Sequence, residues 1–198
     1  MNPKFTPRTT EDILRLIAEH PLAWVISRDF QATPLPLLAE TDASGALVSL
    51  FGHIACRNPQ VAALTADPAA LILFQGPQGY IAPRLVSNPT WGPTWNYAVV
   101  RCEVTLEFVR AETPQALRRL AAHLERAQPD PWRVEQMAHR YAELLPHIVA
   151  FRAHIRRLNP TFKLGQDEND ATFGEIVAGL EGTPLAALMS QQRAPGSR

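Results

Sequence analysis

Lysine is nearly missing from this sequence: of its 198 residues, Lys4 and Lys163 are the two lysines. Cysteine is as scarce, with Cys56 and Cys102 alone. Two isolated cysteines exclude a disulfide framework, and with scattered histidines they fall short of a zinc ligand set. Reduced thiols and no metal are expected. Neither charge is in excess, with 19 Lys+Arg against 19 Asp+Glu. A neutral chain has no general attraction to nucleic acid or to an anionic membrane surface. No apolar run approaches the ~20 residues of a membrane helix. The first twenty residues carry proline and charge where a signal peptide would be apolar, which predicts a cytoplasmic protein. A dinucleotide-binding glycine fingerprint, a P-loop lysine, a Gly-x-Ser-x-Gly elbow and a His-Glu-x-x-His pair are all missing. The acids are scattered, so spacing singles out no catalytic residue.

What is present is enough for a core. The chain is 46% hydrophobic and 19% charged. A single domain of this size buries roughly 70% of its unfolded surface. Eighteen prolines argue for many turns rather than a helical bundle. Residues 9–19 read as a short helix, with Ile13, Leu16 and Ile17 on one face and Thr9 with Asp12 as a capping pair. Leu22 to Ser27 reads as a strand. Thr33 to Leu38 is apolar but carries two prolines, so it is an edge or bulged strand. Asp42 to Gly45 is a turn, and Leu47 to Ile54 a strand. Asn58 and Pro59 open a helix. Leu71 to Phe74 is a buried strand, residues 75–79 a loop, and residues 80–82 an extension of the pairing.

Residues 83–95 form an ordered loop. The strongest period-2 signal runs from Tyr97 to Val109, with Ala98, Val100, Cys102, Val104, Leu106 and Phe108 on a dry face. Residues 113–126 are a helix ended by Pro129 and Pro131. Val134, Met137, Tyr141 and Leu144 share a face of another. Residues 150–158 alternate as a strand. Thr172 and Glu175 look like a capping box, with Gly182 past the helix end. The last residues, from Gln192, read as a disordered tail. The sum is an α+β protein: one domain over residues 1–182, in which six or seven antiparallel strands can close into a barrel flanked by helices, followed by a C-terminal helix and disordered tail over residues 183–198.

Four clusters carry polar chemistry. His53, Arg57 and Asn58 stand where a strand gives way to a helix. A guanidinium fork and free backbone donors suit a phosphate there, and plain capping with a solvated arginine explains them equally. Gln75 follows a buried strand and either meets a ligand edge or holds a turn. Trp95, Asn96 and Tyr97 either line a planar ligand or pack a loop. Lys163 and Gln166 form the last cluster, and a lone lysine is ordinarily solvated.

In this order, Ala32 to Leu38, Gly52-His53 through Asn58-Pro59, Phe74 to Pro77, Pro93 to Tyr97, Pro131-Trp132 and Phe162 to Gln166 resemble the PaiB family of FMN-binding negative transcriptional regulators. The resemblance runs over about residues 1–182. It implies an antiparallel split β-barrel, related to pyridoxamine-phosphate oxidases and flavin reductases, that works as a homodimer with FMN in the groove between subunits. It implies Thr33 and Leu35 beside the isoalloxazine ring, His53, Arg57 and Asn58 at the phosphate and ribityl end, and Gln75 at a polar edge of the flavin. It places Trp95, Asn96 and Tyr97 on the pocket wall, with Lys163 and Gln166 closing it. Pro34, Gly165 and Asp167 depart from the family's pattern, and an added carboxylate there predicts weaker FMN binding. The expected role is transcriptional repression or flavin-dependent sensing. Its rivals are a flavin-dependent oxidoreductase or flavin reductase using NAD(P)H, and a haem-binding relative using His53 or His154. No helix–turn–helix stands out, so direct DNA binding has no support in these residues.

Overall fold

Leu22–Ser27 forms strand β1, in which Ala23, Val25 and Ser27 point inward. It pairs antiparallel with β2 (Ala32–Pro36) on one side and with β5 (Ala69–Ile81) on the other. In this computed structural model, which describes residues 3–193, β2 is an edge. Pro34 and Pro36 lack the N–H that an inner ladder position would need. The other edge is β3 (Leu38–Thr41), paired with β4 (Leu47–Ala55) through a turn whose Asp42 carboxylate accepts the Ser44 and Ala46 amides. β4 pairs with β7 (Ile148–Lys163), setting Phe51 opposite Arg152 and His53 opposite Ala150. With β6 (Thr94–Phe108), the seven strands run in the order β2-β1-β5-β6-β7-β4-β3. The sheet is antiparallel and open: it has the split-barrel character expected, without closure.

Six α-helices flank it among the described residues: α1 (Thr10–Glu19), α2 (Gln60–Ala66), α3 (Thr113–Glu125), α4 (His139–Leu144), α5 (Asp170–Gly179) and α6 (Pro184–Gln192). The chain divides into two compact units. Unit 1 comprises Met1–Ile13, Gln75–Val100 and Asn159–Arg198; unit 2 comprises Leu14–Phe74 and Arg101–Leu158. Phe51, Phe74, Phe151, Leu37, Leu50 and Ile72 fill the core of unit 2, and Ile81, Phe162, Leu164, Ile176 and Met189 that of unit 1. In unit 2, Pro36 and Leu37 close over β4 at Gly52.

Four expectations change. Residues 75–79 are strand rather than loop: β5 runs on through them, with its inward parity slipping by one residue at Gly76 and Pro77, so that even-numbered positions are buried up to Gly76 and Ile81 is buried beyond it. Gly79 tolerates Leu185 at 3.1 Å from where a Cβ would sit. The helix expected through residues 134–144 breaks at Ala138, whose φ of 51° separates a 3-10 turn (Val134–Met137) from α4. The cap of α5 is Asn169, whose side chain accepts the Thr172 amide at 2.9 Å. Glu175, expected in a capping box, accepts the Ser87 amide at 2.8 Å instead. The expected tail begins at Gln192, yet Gln192 still belongs to the C-terminal helix α6, and residues 194–198 of that tail lie outside the described residues.

The two cysteines are unpaired, and burial pushes the Cys102 thiol up to about 12. Among the described residues, no helix is long and apolar enough to cross a membrane.

Candidate functional site

In unit 2 the site begins with a buried glutamine. Gln60 opens α2 and is fully buried; its Nε2 donates to the Val25 and Gln31 carbonyls, both at 2.9 Å. Those two bonds fix the start of α2 to the β1–β2 hairpin. Asn58 then reaches β2, donating from Nδ2 to Thr33 Oγ1 at 3.1 Å, while its Oδ1 caps the Gln60 amide at 2.9 Å. The helix opens one residue later than expected, with Pro59 outside it. Thr33 and Leu35 lie two apart on β2, so they share a face. Arg57 projects into solvent between β4 and α2 and has no side-chain partner among the described residues. Thr33, Leu35, Arg57 and Asn58 are thus one neighbourhood, organised by a residue that the sequence reading passed over. A glutamine after Asn-Pro carries no signal that separates a buried anchor from a surface position.

His53 stands apart from that neighbourhood. It lines an apolar cavity beneath α3, and burial pushes its imidazole below the ordinary histidine range. The same sheet face carries a charge network. Glu40 on β3 accepts hydrogen bonds from Arg119 Nη1 (2.6 Å), Arg152 Nε (2.7 Å) and Ser49 Oγ (2.7 Å). Arg152 also forks onto Glu112 at 2.9 and 3.0 Å, and both guanidinium groups lie over the Phe51 ring at 4.7 and 4.9 Å. Burial pushes the Glu40 carboxyl up, but the bonds from Arg152, Arg119 and Ser49 outweigh it and hold the group down at about 2.

In unit 1, Lys163 ends β7 and donates Nζ to Thr94 Oγ1 and to the Trp95 carbonyl, the latter at 3.0 Å. Trp95 is half-exposed; its indole N–H donates to Gln78 Oε1 at 2.6 Å, and its ring leans on Tyr80 with centroids 6.0 Å apart. These two aromatics and one cation offer a flat, polar-edged surface. Tyr97 is half-buried on the same side of β6 as Trp95, and Gln75 is exposed on β5. Asn96 points the other way: it is buried, with its amide on the Met189 sulfur at 3.6 Å. Gln166 bonds within its own loop, accepting the Leu164 amide at 2.8 Å and donating to the Phe162 carbonyl at 2.5 Å. Gly165 in that loop has φ of 81°, and a Cβ would stand 3.3 Å from Phe173. Any residue with a Cβ would be strained there.

Residues 1–157 match the family described as "Putative FMN-binding domain". An uncharacterized protein of Aspergillus fumigatus is 30% identical over 172 residues, which cover 67% of this chain and 66% of that protein; the chain thus spans about two thirds of that relative. Protease synthase and sporulation protein PAI 2 of Bacillus subtilis is 26% identical over 194 residues, covering 94% of this chain and 92% of that one. Among solved structures, the flavocytochrome Anf3 of Azotobacter vinelandii superposes with a TM-score of 0.60 at 14% identity, over 78% of this chain and 67% of that one. The FAD and heme binding protein of Mycobacterium smegmatis does so with a TM-score of 0.57 at 18% identity, over 86% and 78%. These structures share the fold.

Proposed function

Because the chain belongs to the FMN-binding domain family, with FMN as its cofactor, we propose that it acts as a homodimeric regulator or sensor whose state depends on bound FMN. The regulatory part draws on the name of the Bacillus subtilis relative. The residues suit the cofactor. A phosphate dianion needs a cation and polar donors, and a planar ring needs aromatic or apolar walls. In unit 2 the proposed phosphate contacts are Arg57 and Asn58, with Thr33 and Leu35 along the ring. In unit 1 the proposed contacts are Trp95 and Tyr97 as walls, Gln75 at a polar edge and Lys163 as a second cation. Gln60 and Gln166 position these groups from behind. When bound, FMN would supply hydride or electron transfer, and these side chains would orient it.

The observation that carries the proposal is Arg57: a solvent-facing guanidinium without a partner among the described residues, beside an Asn58–Thr33 pair held rigid by a buried anchor. Hydrogen bonds to charged groups are worth about 1.5–3 kcal/mol, so Arg57→Ala should weaken FMN binding by that much. Fluorescence titration with FMN measures it; an unchanged dissociation constant would remove Arg57 from the site. A purified protein with no flavin absorbance between 300 and 600 nm that also takes up no added FMN overturns the whole reading. Sedimentation should show twice the chain mass. NAD(P)H oxidation above background with added flavin would convert the regulator into an oxidoreductase.

A further inference from the structure

Beneath α3 in unit 2 lies a cavity of about 380 Å3 that the FMN reading leaves unused, covered by the 3-10 turn at residues 134–137 and by α4. Protein interiors leave few voids larger than a water, whereas ligand pockets begin near 300 Å3. Its walls are overwhelmingly apolar. Leu124, Trp132 and Leu144 line it and are nevertheless 51%, 42% and 40% exposed, so three large hydrophobic side chains surround one opening. Large exposed apolar surface gathered in one place marks a binding site more often than chance.

Two polar atoms complete the picture. His53 Nδ1 and Tyr141 Oη are buried without a hydrogen-bond partner among the described residues, and both residues line this cavity. Buried polar groups are nearly always paired, so two orphans on one cavity call for a partner delivered through it. The cover is built to yield: its two pieces meet at Ala138, whose φ of 51° is strained for a residue with a Cβ. Such strain concentrates at ligand clamps. Charge selects the ligand. Glu125 is the one carboxylate among the lining residues, and no Lys or Arg lines the cavity to hold an anion. That excludes the FMN phosphate itself.

From these features we infer that the cavity binds a neutral aromatic or alicyclic molecule of one or two rings carrying a hydroxyl, which bonds to Tyr141 and His53 while its rings fill the apolar walls. A macromolecular surface laid over the mouth would leave both polar atoms unpaired, so a small molecule is the occupant that satisfies the site. The ligand stands apart from FMN and would tell the protein about its chemical surroundings.

Calorimetry with 1-naphthol, on the full chain saturated with FMN, tests this. Binding should be saturable at one molecule per chain, and naphthalene, which lacks the hydroxyl, should bind at least fivefold more weakly. Tyr141→Phe should bring 1-naphthol down to the naphthalene level, and Ala121→Phe, which fills the cavity, should abolish binding of both. FMN affinity should be the same in all three proteins, so failure here is distinguishable from failure of the FMN reading. Absence of saturable 1-naphthol binding by the unmodified chain overturns the inference. So does equal affinity for naphthol and naphthalene, which needs no variant to fold. If Leu124→Ser instead turns a dimer into a monomer, a second copy covers the mouth and the small-molecule reading falls.

Discussion

Gly52 shows how closely one residue can hold a site in place. A Cβ built on it would lie 2.4 Å from Leu37 Cδ2 and 3.2 Å from the Pro36 carbonyl oxygen. Leu37 is fully buried and has no room to retreat, and the carbonyl is backbone. Gly52→Ala must therefore push the end of β2 outward. Overpacking of this kind costs about 1–3 kcal/mol. Urea denaturation should show that loss; a change below about 0.5 kcal/mol, the spread of neutral surface substitutions, would refute the argument. Since Thr33 and Leu35 ride on β2, FMN affinity should drop in the same variant. At this scale the site was partly legible. Arg57 and Asn58 declare themselves by residue type at a strand–helix junction, whereas Thr33 enters only through the family resemblance. Asn96 could have been placed by parity: the dry positions of β6 are even-numbered, from Ala98 through Leu106, and one more step back reaches Asn96. Gln60, which fixes the neighbourhood, carries no such signal.

Elements were most legible where a period repeats for long enough. The alternation in β6, and the Thr9–Asp12 cap of α1, with bonds of 3.1 and 3.2 Å, stand where the pattern predicts them, and β1 stands where its β-branched and aromatic residues predict a strand. Glycine and proline mislead in β5, because Gly-Pro-Gln-Gly has turn composition while its pairing and packing are those of a strand. In residues 134–144 the apolar period is real, since Val134, Met137 and Tyr141 all line one cavity. The backbone that delivers them breaks at Ala138, and a face pattern does not report a break. The start of α5 offers a direct test. The sequence pattern offers Glu175 as the acceptor of the Thr172 amide, and the structure gives that amide to Asn169. Loss of an N-cap costs about 1 kcal/mol, so Asn169→Ala should lower stability by that amount in denaturation. Glu175→Gln, which keeps an oxygen to accept the Ser87 amide, should leave the midpoint nearly unmoved. The reverse order would return the cap to Glu175.

At the scale of the molecule, zero net charge hides a concentrated arrangement. Glu40 gathers β3, β4, β7 and α3 in unit 2 through Ser49, Arg152 and Arg119, and Arg152 extends the network to Glu112. None of this is visible in the composition, because the partners lie 9, 79 and 112 residues from Glu40 along the chain. The sheet class could be read ahead of the structure; which acids meet which arginines could not. The network has a pH signature of definite sign. The Glu40 carboxyl sits at about 2 in the folded chain against an ordinary value of 4.5. The folded state therefore binds its proton more weakly than the unfolded state. The resulting stability is fully present above about pH 4.5 and is lost as pH falls toward 2. The shift corresponds to roughly 3 kcal/mol as an upper bound. Glu40→Gln fixes the group in a neutral form, so it should be markedly less stable than the unmodified chain at pH 7. As the carboxyl of the unfolded chain takes up its proton while the folded one stays ionised, the difference should shrink between pH 4.5 and pH 3. Urea midpoints at pH 7, 4 and 3 measure the two curves, and a gap of constant width would show that Glu40 is held by packing rather than by its charge.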